Sequence, residues 1–282
     1  MKNTLKLSNY LFGWFFHKYE RYILWISLAI STVLIFVGNL DNKDKYHHIA
    51  IEFRTYDLVV DYSGAGFVFL LGLATIFISI FIQINGFYTN GKGMYSIFTL
   101  PMRRSEVFMA FLLSAATAVM LYFAVWLVAM IILYFPITSM YEKAASEAVL
   151  YISEEVTIRD LDTTITNGFF LAFQRSVFLS TCFPAFSIQA FAVLSGMLLS
   201  TVAVVFAGLY NDYISLRVVL FLAVLGGFVV AFYGAWLTFQ NNYNYISQGV
   251  VLQGLSGTAA ALIIGGALLF TAVHKLKRRK DI

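Results

Sequence analysis

The chain has 282 residues, of which 60% are hydrophobic, 17% aromatic and only 12% charged. A soluble domain carries about 25% charged residues, so this composition excludes a soluble globular protein and predicts an all-α, polytopic membrane protein. The formal net charge of +4 is small and its basic residues are scattered, which argues against nucleic-acid binding. The single cysteine, Cys182, excludes an intrachain disulfide and a cysteine-based metal cluster.

Residues 1–21 form the first predicted element. No cleavable signal peptide is evident, because basic residues are interspersed with apolar ones up to the first long apolar run. The segment Thr4–Tyr19 has helical periodicity, with Lys6 and Asn9 on one stripe and Leu7, Leu11 and Phe15 on another. This pattern predicts an amphipathic helix that lies in the membrane interface.

Six apolar runs approach the roughly 20 residues that a helix needs to cross a bilayer. We therefore predict six transmembrane helices in a single domain. Pro184 is expected to kink the fourth run or to mark its start. The runs are Tyr22–Gly38, Gly66–Ile84, Val107–Phe135, Val177–Phe206, Val218–Phe239 and Val250–Val273.

The placement of Lys and Arg predicts which side of the membrane each connecting segment faces. With a cytoplasmic N-terminus, 13 basic residues fall on inside segments and 6 on outside segments. Because cytoplasmic loops are enriched in Lys and Arg, both termini are predicted to be cytoplasmic. We expect a multi-pass protein of a bacterial plasma membrane. Residues 136–175 then form a long external loop, in which Tyr141–Ile152 is predicted to be a surface helix.

The connection between the second and third runs, residues 86–104, differs from an ordinary polar loop. After Asn90–Gly93 comes a short apolar and aromatic run, which Pro101 is expected to end because a helix rarely continues through the residue before a proline. Ser105 is the predicted N-cap of the next helix, with Glu106 in its first turn. The residues predicted to contact a partner here are Lys92, Met94, Tyr95, Phe98, Leu100, Pro101, Arg103 and Arg104.

The apolar runs carry no Asp, Glu, Lys, Arg or His well inside them. A charge at mid-bilayer costs about 2.5–3.5 kcal/mol on insertion scales, so the absence argues against a proton relay or an ion-coupled carrier. The only amides near membrane depth are Gln83, Asn85 and Gln189. Each is a candidate for a substrate path, and an interhelical hydrogen bond is an equal alternative.

Two further patterns partly resemble sites of other chemistry. Gly86–Gly93 resembles a phosphate-binding loop but has Gly93 where a hydroxyl is needed. His47 and His48 are adjacent rather than four apart, so no metal site is predicted.

A membrane-embedded protease is an alternative function. Glu154, Glu155 and His274 resemble parts of the motifs of CAAX-type intramembrane proteases. In the predicted topology these groups lie on opposite sides of the bilayer, where they cannot act on one water. No catalytic residue is therefore predicted, and the chain is not expected to be an enzyme.

The pattern as a whole resembles the membrane subunit of type-2 ABC exporters, which use separate ATPase chains. The matching features are the interfacial N-terminal helix, six spans with both ends inside, and the stretch Ser96–Glu106, in which Leu-Pro precedes a pair of arginines and a span. The resemblance implies that residues 86–104 form a coupling helix that docks into an ATPase, with Tyr95, Phe98 and Leu100 as its apolar contacts. For Arg103 and Arg104, membrane topology alone is an alternative explanation.

The resemblance also implies partners and a cargo. It implies ABC ATPase subunits that bind ATP and Mg²⁺, a second permease chain of the same or a sister sequence, and membrane lipid, with no cofactor on this chain. The uncharged, aromatic spans favour an amphipathic or lipophilic cargo such as an antimicrobial peptide, a lipid or a drug. A non-transporting sensor or immunity subunit is an alternative, in which the external loops bind a ligand.

Overall fold

Three long apolar helices form the frame of the structure. The computed structural model describes residues 2–45, 56–89, 97, 99–151, 168–183, 196–197, 199–206 and 209, and within them it is helical without any strand. Three helices are long and apolar enough to cross a membrane, over Arg21–Asn39, Ala65–Phe87 and Arg104–Met140. These match the first three predicted spans; the predicted spans Val218–Phe239 and Val250–Val273 lie outside the described residues.

The elements in chain order are α1 (Lys2–Phe15), a π-helical segment (Phe16–Glu20), α2 (Arg21–Lys45), α3 (Tyr56–Tyr62), α4 (Ala65–Thr89), α5 (Arg104–Tyr151), α6 (Gly168–Arg175) and α7 (Val177–Cys182). The predicted amphipathic division of α1 is confirmed, since Leu7, Leu11 and Phe15 are buried and Lys6 and Asn9 are exposed. The prediction treated this helix as separate from the first span. In the structure the flanking residues of the π segment, Phe15 and Arg21, are both helical, so α1 continues into α2.

Contacts between α1–α2 and α4 show that these helices are antiparallel. Trp14 lies 4.4 Å from Phe87 between ring centroids, near the start of the first and the end of the second. A Cβ at Gly72 would lie 3.1 Å from the Ser27 Cβ, and one at Gly38 would lie 3.7 Å from the Ser63 Cβ. The N-terminal helix and the α4–α5 connection therefore lie at the same end of the bundle.

The third helix is longer than the third predicted span. It was expected to end at Phe135, with the external loop starting at Pro136, but α5 contains Pro136 and continues to Tyr151. Proline removes one backbone donor and crowds the preceding turn. Here the Thr138 hydroxyl donates to the Tyr134 carbonyl and the Ser139 hydroxyl donates to the Pro136 carbonyl, so hydroxyl groups bond to backbone carbonyls around the proline.

The centre of the core is aromatic and is organised around Phe69 of α4. Its ring centroid lies 5.2 Å from Tyr122, 5.0 Å from Phe123, 5.1 Å from Trp126 and 5.4 Å from Phe178. The Tyr122 hydroxyl also donates to the Phe69 carbonyl at 2.9 Å. Edge-to-face aromatic pairs of this kind add specificity to apolar burial.

The opposite end of the bundle is closed by three short helices packed against α5. Tyr56 of α3 donates to the Met130 carbonyl at 2.7 Å. Asp61 Oδ1 accepts from the Ser176 hydroxyl at 2.8 Å and from the Phe178 N–H at 3.1 Å. A carboxylate of α3 therefore satisfies backbone and side-chain donors at the start of α7, a contact that the sequence pattern did not predict.

The fourth predicted span, Val177–Phe206, is interrupted. Helix α7 ends at Cys182, and Phe183 has an extended backbone with φ −112° and ψ 115°. Pro184 follows it, and a proline pushes the residue before it out of helical conformation. Residues 199–206 are helical again, so the break at Phe183 separates two helical parts of this run.

Candidate functional site

The connection between α4 and α5 is a compact turn in its described part. The Leu100 N–H donates to the Ile97 carbonyl at 3.3 Å, and the Met102 N–H donates to the Leu100 carbonyl at 2.7 Å. Ile97 is buried in the core, and Met102 is half-buried against it. This side of the turn anchors the segment to the bundle.

The start of α5 differs from the prediction by two residues. The helix begins at Arg104, and the Arg103 carbonyl accepts from the N–H groups of Glu106 and Val107, so Arg103 rather than Ser105 is the N-cap. The predicted first-turn position of Glu106 is confirmed. Glu106 Oε2 accepts from the Arg103 N–H at 3.2 Å, which is the glutamate half of a capping box.

The other side of the turn faces outwards. Leu100 is 40% exposed, and Pro101, Arg103 and Arg104 are exposed as well. These four residues belong to the predicted partner-contacting set. The remaining four, Lys92, Met94, Tyr95 and Phe98, lie outside the described residues.

Four aromatic side chains connect the ends of this turn to the N-terminal helix. Trp14 lies 4.4 Å from Phe87 at the end of α4, and Phe87 lies 5.9 Å from Phe111 near the start of α5, between ring centroids. Phe15 completes the set at 6.2 Å from Phe111. We call Trp14, Phe15, Phe87 and Phe111 the aromatic junction. It joins three helices directly behind the exposed turn.

The amides proposed for a substrate path occupy different environments. Gln83 is buried, and its Nε2 donates to Ser79 Oγ at 2.8 Å within α4, whereas its Oε1 accepts from no described group. Asn85 is half-buried on the same helix. Gln189 lies outside the described residues. The hydrogen bond of Gln83 is therefore intrahelical, not the interhelical bond considered as the alternative.

Glu20 is the residue that sequence reasoning missed. It lies in the π-helical segment, one residue before the first candidate span, and is only 2% exposed. Neither of its carboxylate oxygens has a hydrogen-bond partner among the described groups. Burial raises the pKa of the Glu20 carboxyl from about 4.5 to about 8.

A periodic signal for this burial was present in the sequence. Leu24 and Leu28 follow Glu20 at intervals of four residues and are both buried, so Glu20 continues the buried stripe of α2. The stripe of α1 ends at Phe15, and an α-helical step of four would place Tyr19 next on it. The five-residue step of the π segment puts Glu20 there instead and leaves Tyr19 49% exposed.

The residues of the alternative chemistries lie elsewhere. His47, His48, Glu154, Glu155 and His274 are all outside the described residues. Within the described ranges no group of three or more His, Cys, Asp or Glu side chains is placed to hold a metal ion.

The fold and the site together define a class: in the part of the chain that the structure describes, it is an α-helical protein with three helices long and apolar enough to cross a membrane and a compact turn between two of them. Comparison with known protein families, with curated proteins and with solved structures finds no match to this chain.

Proposed function

We propose that the chain is the membrane subunit of an ATP-driven exporter that resembles the type-2 ABC permeases. In this proposal it has six spans and cytoplasmic termini, and residues 86–104 bind a separate ATPase that carries ATP and Mg²⁺. The cargo is amphipathic or lipophilic, and a second permease chain completes the translocation pathway in the plasma membrane.

The observation that carries the proposal is the two-sided turn between α4 and α5. Ile97 and Met102 hold it against the core while Leu100, Arg103 and Arg104 face outwards. An exposed apolar side chain flanked by cationic groups suits a partner groove that combines an apolar pocket with acidic residues.

The aromatic junction supports transmission of force from such a partner. A movement of the turn displaces the last turn of α4 and the first turns of α5, and both contact the N-terminal helix through Phe87 and Phe111. Since packed aromatic groups shift between discrete arrangements rather than deform continuously, closure of an ATPase would move three helices as a unit.

An exposed apolar stripe on α2 supports contact with lipid and a second permease. Tyr22, Trp25, Ile26, Ile30 and Val33 are exposed along one side of this helix. In water such a surface is unfavourable, whereas in a bilayer it contacts acyl chains or a neighbouring chain.

The test combines co-purification with ATPase activity. The variants Leu100→Asp and Phe98→Asp place a charge on the proposed contact, and Leu5→Asp is the matched control because Leu5 is 54% exposed at the same end of the bundle but lies on α1. We expect the two turn variants to lose an associated ATPase and at least tenfold of its stimulated hydrolysis, about 1.4 kcal/mol or more of coupling. The Leu5 variant should retain both.

Two outcomes would contradict the proposal. One is a wild-type chain that purifies from its native membrane without an ATPase yet transports cargo. The other is full ATPase association and stimulation in both turn variants.

A further inference from the structure

Glu20 lies level with a polar group on α4. Trp14 contacts Phe87, and Ser27 lies beside Gly72. Since Glu20 is near the midpoint between Trp14 and Ser27 in a continuous helix, it lies level with the middle of the stretch from Gly72 to Phe87. The π segment packs directly against α4 there.

The polar side chains at that level are Ser79 and Gln83, both buried. The hydrogen bond from Gln83 Nε2 to Ser79 Oγ turns the amide back along α4, towards the level of Glu20. Gln83 Oε1 and both Glu20 carboxylate oxygens have no donor among the described groups. These are three buried acceptor oxygens, and a buried acceptor without a donor costs about 1–3 kcal/mol.

No described cation compensates the Glu20 carboxylate. The neighbouring Arg21 donates to the Tyr22 hydroxyl at 3.2 Å and lies 5.1 Å from the centre of the Tyr22 ring, so it is engaged on the exposed side of α2. Lys6 and Tyr10 of α1 and Tyr19 of the π segment are exposed, and the side chains of His17 and Lys18 in that segment lie outside the described part of the structure. Residues 76–84 of α4 and 111–118 of α5, which lie at this level, contain no titratable side chain.

We propose that Glu20 is a proton-binding site, in which the carboxyl is neutral and the bound proton provides the donor that Gln83 Oε1 lacks. The ligand is a proton because one added hydrogen satisfies the amide oxygen and removes the buried charge together. The local backbone supports this, since the π turn is the feature that rotates Glu20 inwards, and such turns occur frequently at functional sites. Desolvation is the cause of the raised pKa of Glu20, which agrees with the geometry.

This site adds to the proposed function and is independent of the ATPase. A buried carboxylate without a hydrogen-bond partner is costly, so its presence points to a role beyond packing. A proton here would link the angle between α1 and α2 to pH, because an ionised Glu20 favours a rotation of the π segment that exposes the carboxylate.

The test is infrared spectroscopy of the full-length protein in lipid nanodiscs, with no ATPase present. We expect the carbonyl band of a protonated carboxyl to persist at pH 6.5 and to disappear with a midpoint well above that of an ordinary glutamate. The band should be absent in Glu20→Gln. It should be retained in the matched control Glu106→Gln, since Glu106 is half-buried and bonded to the Arg103 N–H.

Two further measurements test the proposal without relying on the Glu20→Gln variant. In Gln83→Leu the band should move to the higher frequency of a carboxyl without an acceptor. Replacing choline by sodium at constant pH should leave the wild-type band unchanged. A band lost on adding sodium would show a metal-cation site and overturn the proposal, as would a wild-type spectrum without a protonated carboxyl at pH 6.5 or a band retained in Glu20→Gln.

Discussion

Gly72 is a position in α4 where both α2 and α5 approach closely. A Cβ at this residue would overlap the Tyr122 hydroxyl of α5 and lie 3.1 Å from the Ser27 Cβ of α2. Tyr122 is buried and its hydroxyl is bonded to the Phe69 carbonyl, so the ring has no room to move.

Gly72→Ala is therefore expected to destabilise the protein by about 1–3 kcal/mol through overpacking. The measurement is the thermal unfolding midpoint of the purified protein in detergent. Gly86→Ala is the matched control on the same helix, because a Cβ at Gly86 meets nothing within 4 Å and alanine favours a helix over glycine. Equal midpoints for both variants would contradict the close approach of α4 and α5.

Glu20 predicts a pH dependence of stability. Its pKa is about 8 in the folded protein against about 4.5 ordinarily, so between these values the folded state holds a proton that the unfolded state has lost. The free energy of unfolding therefore falls by a total on the order of a few kcal/mol as pH rises from 4.5 to 8. Outside this window it does not change through Glu20.

Unfolding midpoints of the wild type and Glu20→Gln at pH 5 and pH 8 measure this slope. The midpoint of Glu20→Gln should change little between the two pH values, because glutamine does not titrate. The midpoint of Glu106→Gln should fall as the wild-type midpoint does. A decline of the same size in Glu20→Gln would assign the slope to other groups.

At the scale of elements, the contact between α3 and α7 spans more than a hundred residues of sequence, from Asp61 to Ser176 and Phe178. A carboxylate at a helix N-terminus satisfies free N–H groups and interacts favourably with the helix dipole. Helix α7 has only six residues, so it depends on such contacts more than a long helix does.

Asp61→Ala should weaken α7 by about 0.5–2 kcal/mol, the usual cost of losing a cap. Hydrogen exchange followed by mass spectrometry should show faster exchange in residues 177–182, with little change in α4. Asp61→Asn retains one acceptor oxygen and should give an intermediate rate. Unchanged exchange in Asp61→Ala would show that packing alone holds α7.

Pro136 illustrates how element boundaries escape prediction. Proline was expected to end the third span, and in α5 it lies inside a helix of 48 residues. A proline costs a helix about 3 kcal/mol, but where no water is at hand an unbroken helix still satisfies more backbone groups than a break would. Ser105 was expected to be the N-cap of α5, and the helix begins earlier, at Arg104, with Arg103 as its N-cap.

At the scale of the whole molecule, the structure predicts which exposed residues face the same side of the membrane. Leu5 and Leu100 lie at one end of the bundle, and Tyr62 of α3 lies at the other. All three side chains are exposed. Because Cys182 is the only cysteine, a single Cys182→Ala change gives a background for labelling.

Leu5→Cys and Leu100→Cys in that background should react with an impermeant maleimide from the same side of sealed vesicles, and Tyr62→Cys only from the opposite side. Labelling of Leu100 from the cytoplasmic side supports the proposed ATPase contact. Labelling of all three from one side contradicts the arrangement of α2, α4 and α5, and exterior labelling of Leu100 contradicts the coupling role.

The amino-acid sequence by itself determined the helical class, the first three long apolar runs and the amphipathic stripe of α1, since composition and helical period depend only on residues near one another in the chain. Only the tertiary structure decided that Glu20 is buried, that Gly72 is crowded by Tyr122, and that Asp61 binds the start of α7. The contacts of Gly72 and Asp61 depend on where distant helices pack, which local periodicity does not encode. Glu20 falls on the buried stripe because one π turn shifts that stripe by a single residue, which the period of α1 alone does not reveal.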